Sequence, residues 1–175
     1  LHDALPISNV DAVIKKRILE KNDTAAQTLR LLYGQEETTI KNKIVFTDSV
    51  ERKLYTGKDD FAAVYPFIPY QFNLLGSVLT AIRTHGASGK HLSEGERSML
   101  AMFKESAVAY MHEQQGTIIP FYAFYTPMEN FLDHSHRSVI IKAYENDYIN
   151  PDHKTGDVFA INVLKTLFLI KYVQD

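Results

Sequence analysis

Apolar side chains that recur at steps of three and four predict a mainly α fold, and helix-start signatures stand in front of most of those stretches. Prolines and glycines punctuate the chain between them, and only the short segment Lys43 to Phe46 reads as a strand. The chain has 175 residues, 45% apolar and 23% charged, which is enough to bury a core in one domain or slightly more.

The elements follow in order. Residues 1–8, Leu-His-Asp-Ala-Leu-Pro-Ile-Ser, resemble translated adapter sequence and are read as an adapter-derived scar; both chain ends read as cut. A first helix is expected from Val10 to about Lys21, with Ser8 and Asp11 at capping-box spacing and Val10, Val13, Ile14, Arg17 and Ile18 on one face. A second, short helix fits Thr24 to Tyr33, with Asp23 as its N-cap and Gly34 just past its end. Tyr65-Pro66-Phe67-Ile68-Pro69-Tyr70 is excluded from a helix interior, because neither proline offers an N–H and each pushes its predecessor toward extended geometry. Pro69 then opens a helix to about Arg83 in which Phe72, Leu75, Leu79 and Ile82 make one buried stripe. Gly76, on that stripe, is expected to mark the close approach of another backbone.

After the glycine-containing loop Thr84 to His91, a helix opens at Ser93, whose capping box closes on Glu96. It is expected to turn Leu100, Phe103, Ala107 and Met111 inward and to stop at Gln115-Gly116. Thr126-Pro127-Met128-Glu129 forms another capping box, for a helix reaching Tyr148 with Met128, Phe131, Leu132, Ser135 and Val139 inward. Residues 150–156 are the most linker-like stretch, and Asp157 is expected to cap the last helix. That helix, Val158 to Val173, is the most apolar segment, yet it carries Lys165 and Lys171 and falls short of the ~20 residues that cross a bilayer. A buried helix is expected there, with no membrane segment; no signal peptide is read at the start either.

Composition narrows the chemistry. Nineteen basic against twenty-one acidic side chains leave a formal charge of -2, so no global basic field points to nucleic acid. With no cysteine there is no thiol nucleophile and no cysteine-ligated zinc, which fits a reducing compartment. His112, Asp133, His134 and His136 have no zinc spacing, and no nucleophile elbow accompanies any serine. Glu36/Glu37 and Asp59/Asp60 are covered by surface charge or helix capping.

Two motifs touch on phosphate. Gly86-Ala87-Ser88-Gly89-Lys90 fails as a phosphate-binding loop, since Thr84 and His91 occupy places that need glycine and a hydroxyl, and a helix precedes it where a strand is required. Leu92-Ser93-Glu94-Gly95-Glu96-Arg97-Ser98-Met99-Leu100 resembles the signature motif of ABC-type and SMC-type ATPases, in which a serine at a helix N-terminus meets a γ-phosphate. The acidic strand those families need is replaced here by Thr117 to Tyr122, so a capped helix explains the motif more simply. Lys15, Lys16 and Arg17 form a small basic cluster; Asp11 and Glu20 lie four residues from Lys15 and Lys16, as on a solvated helix face. Arg83, His85, Lys90, His91 and Arg97 flank a glycine-rich turn, an arrangement suited to a nucleotide, nucleic acid or a neighbouring subunit.

Tyr65 to Phe72, the run Ala81 to Leu100, Pro120 to Tyr125 with Glu129 to Asp133, and Val163 to Val173 together carry a family resemblance. Over about Asn9 to Asp175 the chain resembles the large P-loop ATPase of BREX anti-phage systems, the BrxC/PglY family. The resemblance implies an internal fragment of a longer cytoplasmic ATPase: residues 9–149 as a helical AAA+ lid-like region, 150–156 as a linker, and 157–175 as the first helix of a truncated winged-helix-like domain. It implies ATP and Mg2+ as cofactors of the full-length parent, held by Walker residues outside this segment. The partners it implies are the rest of its own chain, further copies of itself, other BREX components and DNA. Arg17 or Arg83 would be the sensor or trans-acting arginine, with Lys90, Ser93 and Arg97 as further phosphate-contact candidates. Two other readings stay open: a non-catalytic helical nucleic-acid-binding module using Lys90 and Arg97, and half of an SMC/ABC-like ATPase.

Overall fold

A computed structural model describes residues 7–47, 51–85 and 96–174. The fold is mainly α, and no strand occurs among the described residues; the segment expected as a strand at Lys43 to Phe46 is the end of a helix and an irregular exit from it. The described residues form two compact units, one from residues 7–76 and 96–120 and the other from 77–85 and 121–174.

In the first unit, α1 (Ile7–Arg17) buries Val10 and Ile14 and closes with the Ile18 and Leu19 N–H groups donating to Ile14 O at 2.9 and 3.3 Å. It starts earlier than capping-box spacing suggests, so Ser8 lies inside it, and it stops four residues before Lys21. α2 (Asp23–Lys43) is twice as long as its apolar pattern indicates. Asn22, not Asp23, is its N-cap and accepts from Ala25 N at 2.8 Å. Gly34 does not end it: the second half is polar and solvated, and it is supported by the Glu37–Lys41 pair one turn apart. α3 (Lys58–Val64) packs on α2 through Phe61, which lies 5.3 Å from Tyr33. Asp59 and Asp60 work at its first turn, Asp60 accepting from Thr56 N and Asp59 pairing with Arg30 at 2.8 Å.

α4 (Tyr70–His85) carries the expected stripe, with Phe72, Leu75, Leu79 and Ile82 all buried. Gly76 marks no close approach; a β-carbon there would meet nothing within 4 Å. Its start is held by Gln71, which is fully buried. The Gln71 Oε1 accepts from Ile68 N at 2.9 Å, and its Nε2 donates to Ile119 O at 2.8 Å. Ile119 N in turn donates to Pro66 O at 2.8 Å, so the extended stretch before Phe121 is clipped to the proline-rich segment. α5 (Glu96–Ala109) stacks Phe103 on Phe72 at 4.6 Å and ends well before Gln115 in a loosened turn.

In the second unit, the single helix expected from Pro127 to Tyr148 is broken in two. A 3-10 turn (Phe121–Phe124) leads into α6 (Tyr125–Met128), and an extended Leu132 separates these from α7 (His134–Glu145). The cap is not Thr126 but Asp133, which accepts from Ser135 N at 2.9 Å. α7 therefore buries His136, Ile140 and Ala143, while Ser135 and Val139, expected inside, are exposed. Residues 150–156 are a tied loop rather than a free linker. The Asn150 side chain is buried, donates to Tyr144 O and Lys154 O and accepts from Lys154 N. α8 (Phe159–Ile170) has no side-chain cap; Asp157 instead accepts from the Asn162 amide. It buries Ile161 and Leu169 against the 3-10 turn, α6 and α7. It is amphipathic rather than wholly buried, with Phe159, Val163 and Leu167 exposed along its outer side. No helix among the described residues is long and apolar enough to cross a membrane.

Candidate functional site

The clearest candidate lies in the first unit, where α1 packs on α5. α1 ends in Lys15, Lys16 and Arg17, cations that suit the negative end of a helix dipole. Lys15 faces Asp11, whose carboxyl is pushed above its usual range by burial and drawn back by Lys15 and Lys53. Arg17 points elsewhere, into an open groove of about 520 Å³ between the two helices. Lys104 of α5 is the second cation there, and Ile18, Leu100, Ala101, Ala107, Val108 and Met111 form the apolar walls.

The groove exists because α5 has two neighbouring apolar stripes. Met99, Met102, Phe103 and Ser106 face the core and are buried. Leu100, Ala107 and Met111, which periodicity puts inside alongside Phe103, belong instead to the second stripe and line the groove. Met111 is 64% exposed and Val108 55% exposed, so this stripe is wet. The signal that separates them was in the sequence: Lys104 sits in the second stripe, one turn from Leu100 and from Val108, and a lysine in the middle of a stripe marks it as the outer one.

The five residues singled out from the sequence divide as follows. Arg17 lines the groove. Arg97 is exposed on the first turn of α5 and continues the stripe of Ala101, Lys104 and Val108 toward the helix start. Arg83 is exposed on the last turn of α4 in the second unit, on the same turn as His85, whose ring stacks on Tyr172 at 5.1 Å. Lys90 and Ser93 lie outside the described residues, together with the turn 86–90 and the start of the capping box.

Sequence reasoning missed three titratable groups. Lys21 donates to Ala63 O at 3.2 Å, and burial pulls its pKa down to about 8. In the second unit, His136 is 4% exposed, its ring stacked on Phe168 at 4.1 Å with the planes 5° apart, and its Nδ1 has no hydrogen-bond partner among the described residues. Burial holds its pKa below the imidazole norm, Lys171 adds to that, and Asp133 opposes it. Tyr125 is also buried with an unpartnered hydroxyl, pushed up to about 12 by burial and by Glu129. No group of three His, Asp or Glu side chains suited to a metal occurs among the described residues.

Among the described residues, the groups that line the groove with side-chain charge are a guanidinium and an ammonium, both hydrogen-bond donors. No family model matches the chain, and no solved structure matches it.

Proposed function

We propose that this chain is an internal piece of a BREX-type P-loop ATPase and supplies lid and subunit-contact surfaces to an assembly that restricts phage DNA. The observation that carries the reading is the run Arg83 to Leu100, with its Gly-Ala-Ser-Gly-Lys-His-Leu-Ser core, set between helices α4 and α5 of a mainly helical chain. On this reading the first seven helices belong to an AAA+-like lid and α8 begins a winged-helix-like unit. ATP and Mg2+ bind upstream residues of the parent. Arg17 or Arg83 stabilises charge on the γ-phosphate, and both are supported in that role by being exposed at helix ends.

The test has two stages. The purified chain incubated with ATP and Mg2+ is expected to give no turnover above a buffer blank; magnesium-dependent hydrolysis by it would overturn the proposal. In the parent, encoded with its upstream sequence, Arg17→Ala or Arg83→Ala is expected to lower turnover by roughly 10³-fold, the scale of a charge-stabilising arginine. Upstream sequence without a strand followed by Gly-x-x-x-x-Gly-Lys-Thr or -Ser also overturns it. DNA binding with a steep salt dependence that flattens in Arg97→Ala would favour the nucleic-acid module instead.

A further inference from the structure

The α1–α5 groove is a better-defined feature than any nucleotide contact, and its composition says what would fill it. Its floor follows α5 from Leu100 to Val108, about 12 Å at a rise of 1.5 Å per residue, and continues onto Met111 in the turn beyond the helix. An amphipathic helix places apolar anchors at i, i+4 and i+7 within about two turns, so the floor is long enough to receive them. Met111 suits such use, because its flexible thioether adapts to the shape laid against it.

Charge decides the occupant. Arg17 and Lys104 are both exposed, and among the described residues neither has an ion-pair partner and no acidic side chain lines the groove. Any segment that buries the apolar walls brings its own flank close to these two cations, so an acidic flank gains and a basic flank is repelled. A second copy of this chain is a poor match. The outward apolar stripe of its α8 lies on a helix that contains no acidic residue and carries Lys165 instead.

We propose that the α1–α5 groove docks an acidic amphipathic helix from a partner protein, with Val108 and Met111 receiving its apolar anchors and Arg17 and Lys104 pairing with its carboxylates. This holds whether or not the chain belongs to an ATPase, and its test contains no nucleotide, so the two proposals fail separately.

The probes are two synthetic helical peptides of four turns with identical leucine stripes, one flanked by glutamates and the other by lysines. Fluorescence anisotropy with the full chain is expected to show saturable binding of the glutamate peptide, about tenfold or more tighter than the lysine peptide. Val108→Glu should weaken the glutamate peptide by at least about tenfold. Arg17→Glu with Lys104→Glu should invert the preference, a result that general loss of fold cannot produce. All three positions are exposed, and unchanged thermal unfolding of the variants checks their integrity. Equal binding of both peptides, or no binding of either up to about 1 mM, overturns the proposal. So does sedimentation showing that the chain self-associates through this face, with Val108→Glu restoring the monomer, and so does binding to anionic phospholipid vesicles that depends on Val108.

Discussion

Two buried polar side chains, one in each unit, are treated in opposite ways by the structure around them. Gln71 in the first unit has no exposed surface and uses both ends of its amide, toward Ile68 N and Ile119 O. His136 in the second is almost as buried, but it lies flat on Phe168 and leaves Nδ1 without a partner. The difference lies in the backbone nearby. The proline-rich segment and the stretch before Phe121 leave amide groups with no helix or sheet to join, and a glutamine is long enough to satisfy both. His136 stands on the first turn of α7, where its Nδ1 meets no hydrogen-bonding group among the described residues. A buried polar group pins the fold where backbone groups need it and weakens the fold where they do not.

The largest break in this comparison is expected from Gln71→Ala, which strands a buried donor and a buried acceptor and should cost about 3 kcal/mol of unfolding free energy. Urea titration checks it, and a loss within experimental error of zero would mean that water replaces the amide. The smaller and opposite test is His136→Phe, expected to be neutral or stabilising because it removes an unpaired group and keeps the stacked ring. The same residue sets a pH dependence. The folded-state pKa of His136 lies below the ordinary 6.5, so the unfolded chain binds its proton more readily. Stability from this group is complete above pH 6.5 and is lost as pH falls from there through the lower folded value. The thermal midpoint of the native chain should therefore drop between pH 7 and pH 5 more than that of His136→Phe; equal slopes would place the acid sensitivity elsewhere. The smallest expected effect sharpens the comparison from outside it. Gly34 lies mid-helix in α2 with nothing within 4 Å of a β-carbon, so Gly34→Ala should raise stability by about 0.5–1 kcal/mol through backbone entropy alone. Destabilisation in a thermal melt would show that helix to be held by contacts at residue 34.

Reading the groove from the sequence was half possible. Arg17 was singled out, and its place at the end of a helix was visible in the spacing of Val10, Ile14 and Ile18. The error in α5 was one of face: with Leu100 and Met99 adjacent, a 3.6-residue period allows either stripe to be the core. α7 repeats it, since moving the N-cap from Thr126 to Asp133 restarts the helix and turns His136 inward in place of Ser135.

Helical class, the proline-rich break at 65–70 and the stripe of α4 were legible in the chain alone, because they depend on local sterics and on a period that no neighbour can change. Which side of α5 is covered and which side of α8 is left outside were settled by packing. Those outcomes depend on which surface a neighbouring segment reaches, and the energy that selects it comes from contacts between residues far apart in the chain.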